Sequence, residues 1–139
     1  DTFSTFYNIR NLIKPAKKEI KTITDILKEF DLEDKLYVKN HDLSGGQKQR
    51  TAIARTMYNP QKILLADEPI SALDEYLSSK VLKVLKENFE TIVCALHNVE
   101  LAIEHFDRVI GLKNGKVLLD KKCSELNHKD RQKLYYVCD

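Results

Sequence analysis

Over residues 17–30 the apolar side chains Ile20, Ile23, Leu27 and Phe30 recur at intervals of three and four, with lysines and glutamates between them. That period lays one apolar stripe along a helix and predicts an amphipathic helix. Residues 31–42 are polar and broken, with a short helical turn expected around 34–37. A second helix is expected over 45–58, preceded by Ser44, with Ala52, Ile53, Ala54 and Met57 on one side and Asn59-Pro60 as its stop. The continuous apolar run Ile63-Leu64-Leu65-Ala66 has the pattern of a strand buried on both faces of a parallel sheet. Leu77, Val81, Leu82, Val84 and Leu85 then form a helical stripe ending near Asn88. Residues 91–96 predict a second buried strand, and 99–106 a further helix. Residues 108–112 and 116–119 flank Asn114-Gly115, a dipeptide that accepts the positive φ of a tight turn, so a hairpin is expected. The opening stretch to Pro15, with scattered aromatics, is assigned helix, as is the polar tail from Ser124. Strands alternating with helices and then a hairpin imply an α/β layer fold with a largely parallel sheet.

Composition narrows the partners more than the fold. The chain has 139 residues, 42% hydrophobic and 32% charged, enough for a folded core. Its net charge is only +2, and basic residues are interspersed with acidic ones apart from pairs such as Lys17-Lys18 and Lys121-Lys122. No nucleic-acid partner or membrane-binding patch is therefore expected. Cys94, Cys123 and Cys138 are an odd number without C-x-x-C spacing, which fits a reduced, cytosolic location, with Cys94 packing as a small hydrophobe. No run approaches the roughly 20 apolar residues that cross a bilayer, so any membrane spans are expected from a partner. The first residue is Asp rather than Met, and the expectation is a piece of something longer or a processed form.

The most specific local feature is Leu43-Ser44-Gly45-Gly46-Gln47 ahead of the second helix. Two glycines let backbone N–H groups at a helix N-terminus approach an anion, the helix dipole favours negative charge there, and Ser44 adds a hydroxyl. The same residues also spell a capping box, Ser44 with Gln47 three positions on, worth about 1 kcal/mol to the helix. Both readings can hold at once. Asp67-Glu68-Pro69 closes the first strand with two carboxylates, which alone would be ordinary solvated acids. Ser71-Ala72-Leu73-Asp74 by itself reads as a helix cap. His97 follows the second strand, where a lone histidine is more often structural than catalytic. His41, His105 and His128 match no motif and are expected to be solvated or packing residues.

Taken in order, these four motifs resemble the signature sequence, Walker B strand, D-loop and switch histidine of ATP-binding-cassette (ABC) ATPases. The resemblance implies an α/β partial P-loop NTPase fold, with a parallel-sheet core, a helical subdomain and a C-terminal β-hairpin. It divides the chain into a helical subdomain carrying the signature, 1–60, and the C-terminal part of the ATPase core, 61–139. ATP and Mg2+ are the implied ligands. Asp67 would hold magnesium, through water, Glu68 would polarise the attacking water and His97 would hydrogen-bond the terminal phosphate. Ser44, Gly45, Gly46 and Gln47 would contact the ATP of a second ABC ATPase subunit in a head-to-tail dimer, and Asp74 would reach across that interface. Transmembrane permease subunits would complete the assembly, which places the chain in the cytoplasm at the inner face of the plasma membrane. Asn98-Val99-Glu100-Leu101-Ala102 and residues 107–117 are particularly similar to the ATP-binding subunits of phosphonate importers.

One part of the family pattern is missing. None of the four glycines, Gly45, Gly46, Gly111 and Gly115, fits the phosphate-wrapping G-x-x-x-x-G-K-[ST] loop. The family's adenine-stacking aromatic and Q-loop glutamine also precede the segment matched here. Alone, the chain is therefore expected to bind ATP poorly and to be inactive, and the half that would cover one edge or face of its sheet leaves apolar surface exposed. Glu75 stands where importers often have Pro. Three readings remain open: part of a transport ATPase importing a phosphonate or other small polar solute, a non-catalytic module that docks on a full-length partner, or a non-transport ABC ATPase. DNA-repair members usually interrupt the domain with coiled coil, and no sustained heptads occur here.

Overall fold

The computed structural model describes residues 15–59 and 61–138. It forms two compact units, Asp1–Pro60 and Gln61–Asp139. The helix assigned to the opening stretch to Pro15 lies outside the described residues.

In the first unit, α1 (Lys17–Glu29) is followed by 3-10 turns at Glu33–Lys35 and Asn40–Asp42 and then by α2 (Gly45–Tyr58), which packs against α1. The apolar stripe of α1 ends in Leu27 and Phe30, both buried. Its end is a Schellman turn. Asp31 takes φ 54, the Asp31 N–H donates to the Lys28 carbonyl at 3.2 Å, and the Leu32 N–H reaches back to the Leu27 carbonyl at 3.0 Å. Leu32 is thereby folded under the helix and almost fully buried. Arg50 of α2 donates to the Phe30 carbonyl at 2.6 Å, which fixes the loose end of α1 to its neighbour. On α2, Ile53 and Ala54 are buried and Met57 partly so, whereas Ala52 faces solvent.

In the second unit the order is β1 (Ile63–Asp67), α3 (Glu75–Asn88), β2 (Thr91–Ala95), α4 (Val99–His105), β3 (Arg108–Lys113), β4 (Lys116–Lys122) and α5 (His128–Cys138), with a 3-10 turn at Cys123–Glu125 before α5. β1 and β2 are parallel, in register from Ile63 opposite Thr91 to Asp67 opposite Ala95, with α3 in the connection between them. Val81, Leu82, Val84 and Leu85 of α3 are buried. One expectation fails here: the strands are not covered on both faces. Leu64 is 9% exposed but Ile63 is 61%, Leu65 76% and Val93 60% exposed. Side chains alternate across a strand, so one face of this pair is packed and the other is open.

β3 and β4 pair antiparallel, with a bulge at Gly111/Leu112 and a turn whose central residues Asn114 and Gly115 both have positive φ, 52 and 72. Such turns match the natural twist of the strands they join. Val99, Leu119 and Leu134 form a small core joining α4, β4 and α5. The start of α5 is held by a reciprocal cap: the Asp130 N–H donates to Asn127 Oδ1 at 3.0 Å, and the Asn127 N–H to Asp130 Oδ2 at 3.2 Å. The Lys121 ammonium lies 2.8 Å from the same carboxylate and holds it below its ordinary range.

Candidate functional site

β1 and β2 end level with each other, because Asp67 is paired with Ala95. The Glu68 N–H extends the ladder by one bond, donating to the Ala95 carbonyl at 3.1 Å. There the backbone leaves the sheet: Glu68 takes φ 46, and the following turn is closed by the Ser71 N–H donating to the Glu68 carbonyl at 3.3 Å. A side chain in the left-handed region costs on the order of 1–3 kcal/mol; Asp31 and Asn114 adopt it in ordinary turns, and Glu68 adopts it at the end of the strand pair. The result is a contact between residues far apart in sequence, Glu68 Oε1 lying 2.6 Å from His97 Nε2. Both groups stay open to solvent, with side chains 46% and 74% exposed. They border a pocket of about 240 Å³ whose lining also includes Ser71, Glu75, Ser78 and Asn98. This is the carboxyl edge of a parallel strand pair, the edge where open α/β sheets bind ligands. A carboxylate and an imidazole in hydrogen-bond contact beside an open pocket can orient water and hold a proton.

Asp67 and Asp74 lie outside that lining. Asp67 is exposed at the end of β1. Its charge reaches Cys94, whose thiol is pushed up to about 11, mainly by burial and secondarily by Asp67. Cys94 is thus an inert packing residue rather than a nucleophile. No cluster of three or more His, Cys, Asp or Glu able to cage a metal occurs among the described residues. A single open carboxylate suits Mg2+, which keeps several waters and takes its other ligands from phosphate oxygens. Asp74 is the N-cap of α3, its Oδ1 accepting from the Leu77 N–H at 2.9 Å.

The remaining motif residues are in the first unit. Ser44 and Gln47 form a complete capping box, the Ser44 N–H donating to Gln47 Oε1 at 2.9 Å and the Gln47 N–H to Ser44 Oγ at 3.3 Å. The Lys48 N–H begins the helical ladder on the Ser44 carbonyl at 2.9 Å. Among the described residues the Gly45 and Gly46 N–H groups take no such bond. Those two amides and the Ser44 hydroxyl hydrogen are therefore the donors this helix end can offer to an anion.

Of the remaining histidines, His105 joins Ser79 at 2.9 Å between α4 and α3, and His41 lies 3.2 Å from Asp42. Asn98 escaped the sequence reading as a site residue. It lines the pocket and caps α4, and an Asn just before the apolar pair Val99 and Leu101 was the available signal.

A family model described as ABC transporter matches residues 2–71, half of the chain. The phosphonates import ATP-binding protein PhnC 1 of Pseudomonas syringae is 40% identical over 132 residues, covering 92% of this chain and 49% of that protein. The protein named PhnC in Fusobacterium nucleatum is 37% identical over 139 residues, covering 94% of this chain and 56% of its own length. The chain thus spans about half the length of the curated relatives it matches. Among solved structures, the dimeric ATP-binding cassette MJ0796 in a post-hydrolysis state bound to ADP and Pi superposes with a TM-score of 0.68 at 36% identity, over 78% of this chain and 49% of that one. CbiO1 of Clostridium perfringens, part of the ABC transporter complex cbiONQ, gives 0.63 at 34% identity, over 79% and 46%. The fold is that of the ABC ATPase cassettes, α/β with a parallel sheet and helices, and the chain belongs to the ABC transporter family.

Proposed function

We propose that this chain is part of the ATP-binding and hydrolysing subunit of an ABC importer for a phosphonate or other small polar solute. The contact of Glu68 with His97 at the level ends of β1 and β2 carries the reading, because it puts a base and a proton-holding ring beside one open pocket. ATP with Mg2+ supplies the phosphoanhydride to be cleaved. Glu68, as the carboxylate, accepts a hydrogen bond from the attacking water and draws its proton, and His97, as the imidazolium, donates from Nδ1 to the terminal phosphate while its Nε2–H holds Glu68 in line. Asp67 holds Mg2+ through water. Residues 1–60 act as the helical subdomain and 61–139 as the C-terminal part of the ATPase core. The Gly45 and Gly46 amides, with Ser44 and Gln47, receive the phosphate of a second ABC subunit's ATP in a head-to-tail dimer, and Asp74 reaches across the same interface. Permease subunits hold the pair at the cytoplasmic face of the plasma membrane. The 139 residues contain no G-x-x-x-x-G-K-[ST] loop, so by themselves they bind ATP weakly and do not turn it over.

A chimera supplies the test: the part of the Pseudomonas syringae relative that this chain does not match, placed ahead of this chain and expected to bring the phosphate-wrapping loop. It should hydrolyse ATP, and Glu68→Gln should lower turnover by roughly 10²–10⁴-fold, the usual contribution of a general base, while fluorescent-nucleotide binding persists. Unchanged turnover in the Gln variant removes Glu68 from this role.

A further inference from the structure

The His97 ring is three-quarters exposed, so packing does not hold it against Glu68. Beside the Glu68 contact itself, its orientation depends on the backbone on either side. Upstream, the chain is clamped at Ala95, which pairs with Asp67 and accepts the Glu68 N–H. Downstream a single residue separates His97 from α4. That residue, Asn98, is extended at φ −84 and ψ 107; its Oδ1 accepts from the Leu101 N–H at 2.9 Å and its carbonyl from the Ala102 N–H at 3.1 Å. The helix it caps is firmly seated, since Val99 and Leu101 are buried and Val99 packs with Leu119 and Leu134.

We propose that Asn98 is a positioning residue for His97: its side-chain cap ties the backbone after His97 to the anchored start of α4 and so keeps the imidazole on Glu68. The proposal deepens, and rests on, the reading of Glu68 and His97 as a working pair. A loss of the cap oxygen frees the ψ of Asn98 and the backbone of His97, and the exposed ring is then held by its contact with Glu68 alone.

The test reads the imidazole directly. The ¹⁵N ring resonances of His97 are recorded in the full 139-residue chain, assigned by their disappearance in His97→Gln, and compared in Glu68→Gln, Asn98→Gly and Asn98→Ser. Gly and Ser are both favoured at N-caps, so α4 persists in each variant, and far-UV circular dichroism checks this. Only Ser keeps a cap oxygen. Glu68→Gln should shift the Nε2 resonance, Asn98→Gly should shift it toward the Glu68→Gln position, and Asn98→Ser should return it to the wild-type position. A resonance that moves in Glu68→Gln but stays at the wild-type position in Asn98→Gly overturns the role of Asn98 alone. A resonance indifferent to Glu68→Gln overturns the Glu68 contact itself, and the positioning role falls with it.

Discussion

Glu68 carries a β-carbon through a backbone region that suits glycine, at φ 46. Elsewhere in a chain, alanine is more stabilising than glycine, by about 0.5–1 kcal/mol in regular structure. At this position the order should invert. Glu68→Ala and Glu68→Gly both lose the carboxylate that meets His97, so the difference between them isolates the backbone, and glycine should be the more stable by about 1 kcal/mol. Urea unfolding midpoints of the two variants read this directly, and an alanine variant at least as stable as the glycine one would contradict the left-handed turn. Nothing in the sequence around Glu68 announces that turn. The two acids and His97 were recognisable as residue types in order along the chain, but their contact depends on β1 and β2 ending level. That is a property of strand register, and a one-residue slip would turn every side chain to the opposite face.

The helices were legible because a 3.6-residue period and its caps are local signals. The Ile20–Leu27 spacing, Ser44 before α2 and Asn59 after it needed no tertiary information. The strands fall where they were expected, but the burial of their two faces was not legible, for the complementary reason. Ile63-Leu64-Leu65-Ala66 is apolar at every position, so the sequence shows what both faces could bury and not what lies against each of them. At the N-terminus of α2, one short motif supports two roles that substitution can separate. Asp caps a helix as well as Ser does and complements the dipole, so Ser44→Asp should leave the melting of α2 within about 0.5 kcal/mol of wild type. The added carboxylate would, however, repel a phosphate approaching the Gly45 and Gly46 amides. In the chimera bearing Glu68→Gln, which is expected to trap bound ATP, the further change Ser44→Asp should abolish ATP-driven dimerisation on gel filtration. Dimers that still form with ATP would reduce the Ser44 motif to a helix cap.

At the scale of the whole molecule, each unit closes its own core, yet the second leaves a ridge of aliphatic side chains in the open. Leu65 and Val93 are register partners on adjacent strands and lie on the same exposed face, with Ile63 two residues along. Leu64 points the opposite way and is buried, although both leucines belong to the same apolar run. Truncating them should therefore give unlike results: Leu64→Ala should cost about 2–5 kcal/mol of unfolding free energy, as a core cavity does, and Leu65→Ala less than about 0.5 kcal/mol, as a surface change does. An open aliphatic ridge on neighbouring strands also favours contact between copies of the chain. Leu65→Lys places a charge in its centre without disturbing the packed face, so it should lower the average mass measured by light scattering at micromolar concentration and leave the urea midpoint unchanged. An average mass that Leu65→Lys leaves unchanged would remove the ridge from self-association, and equal destabilisation by Leu64→Ala and Leu65→Ala would mean that the face is covered in solution.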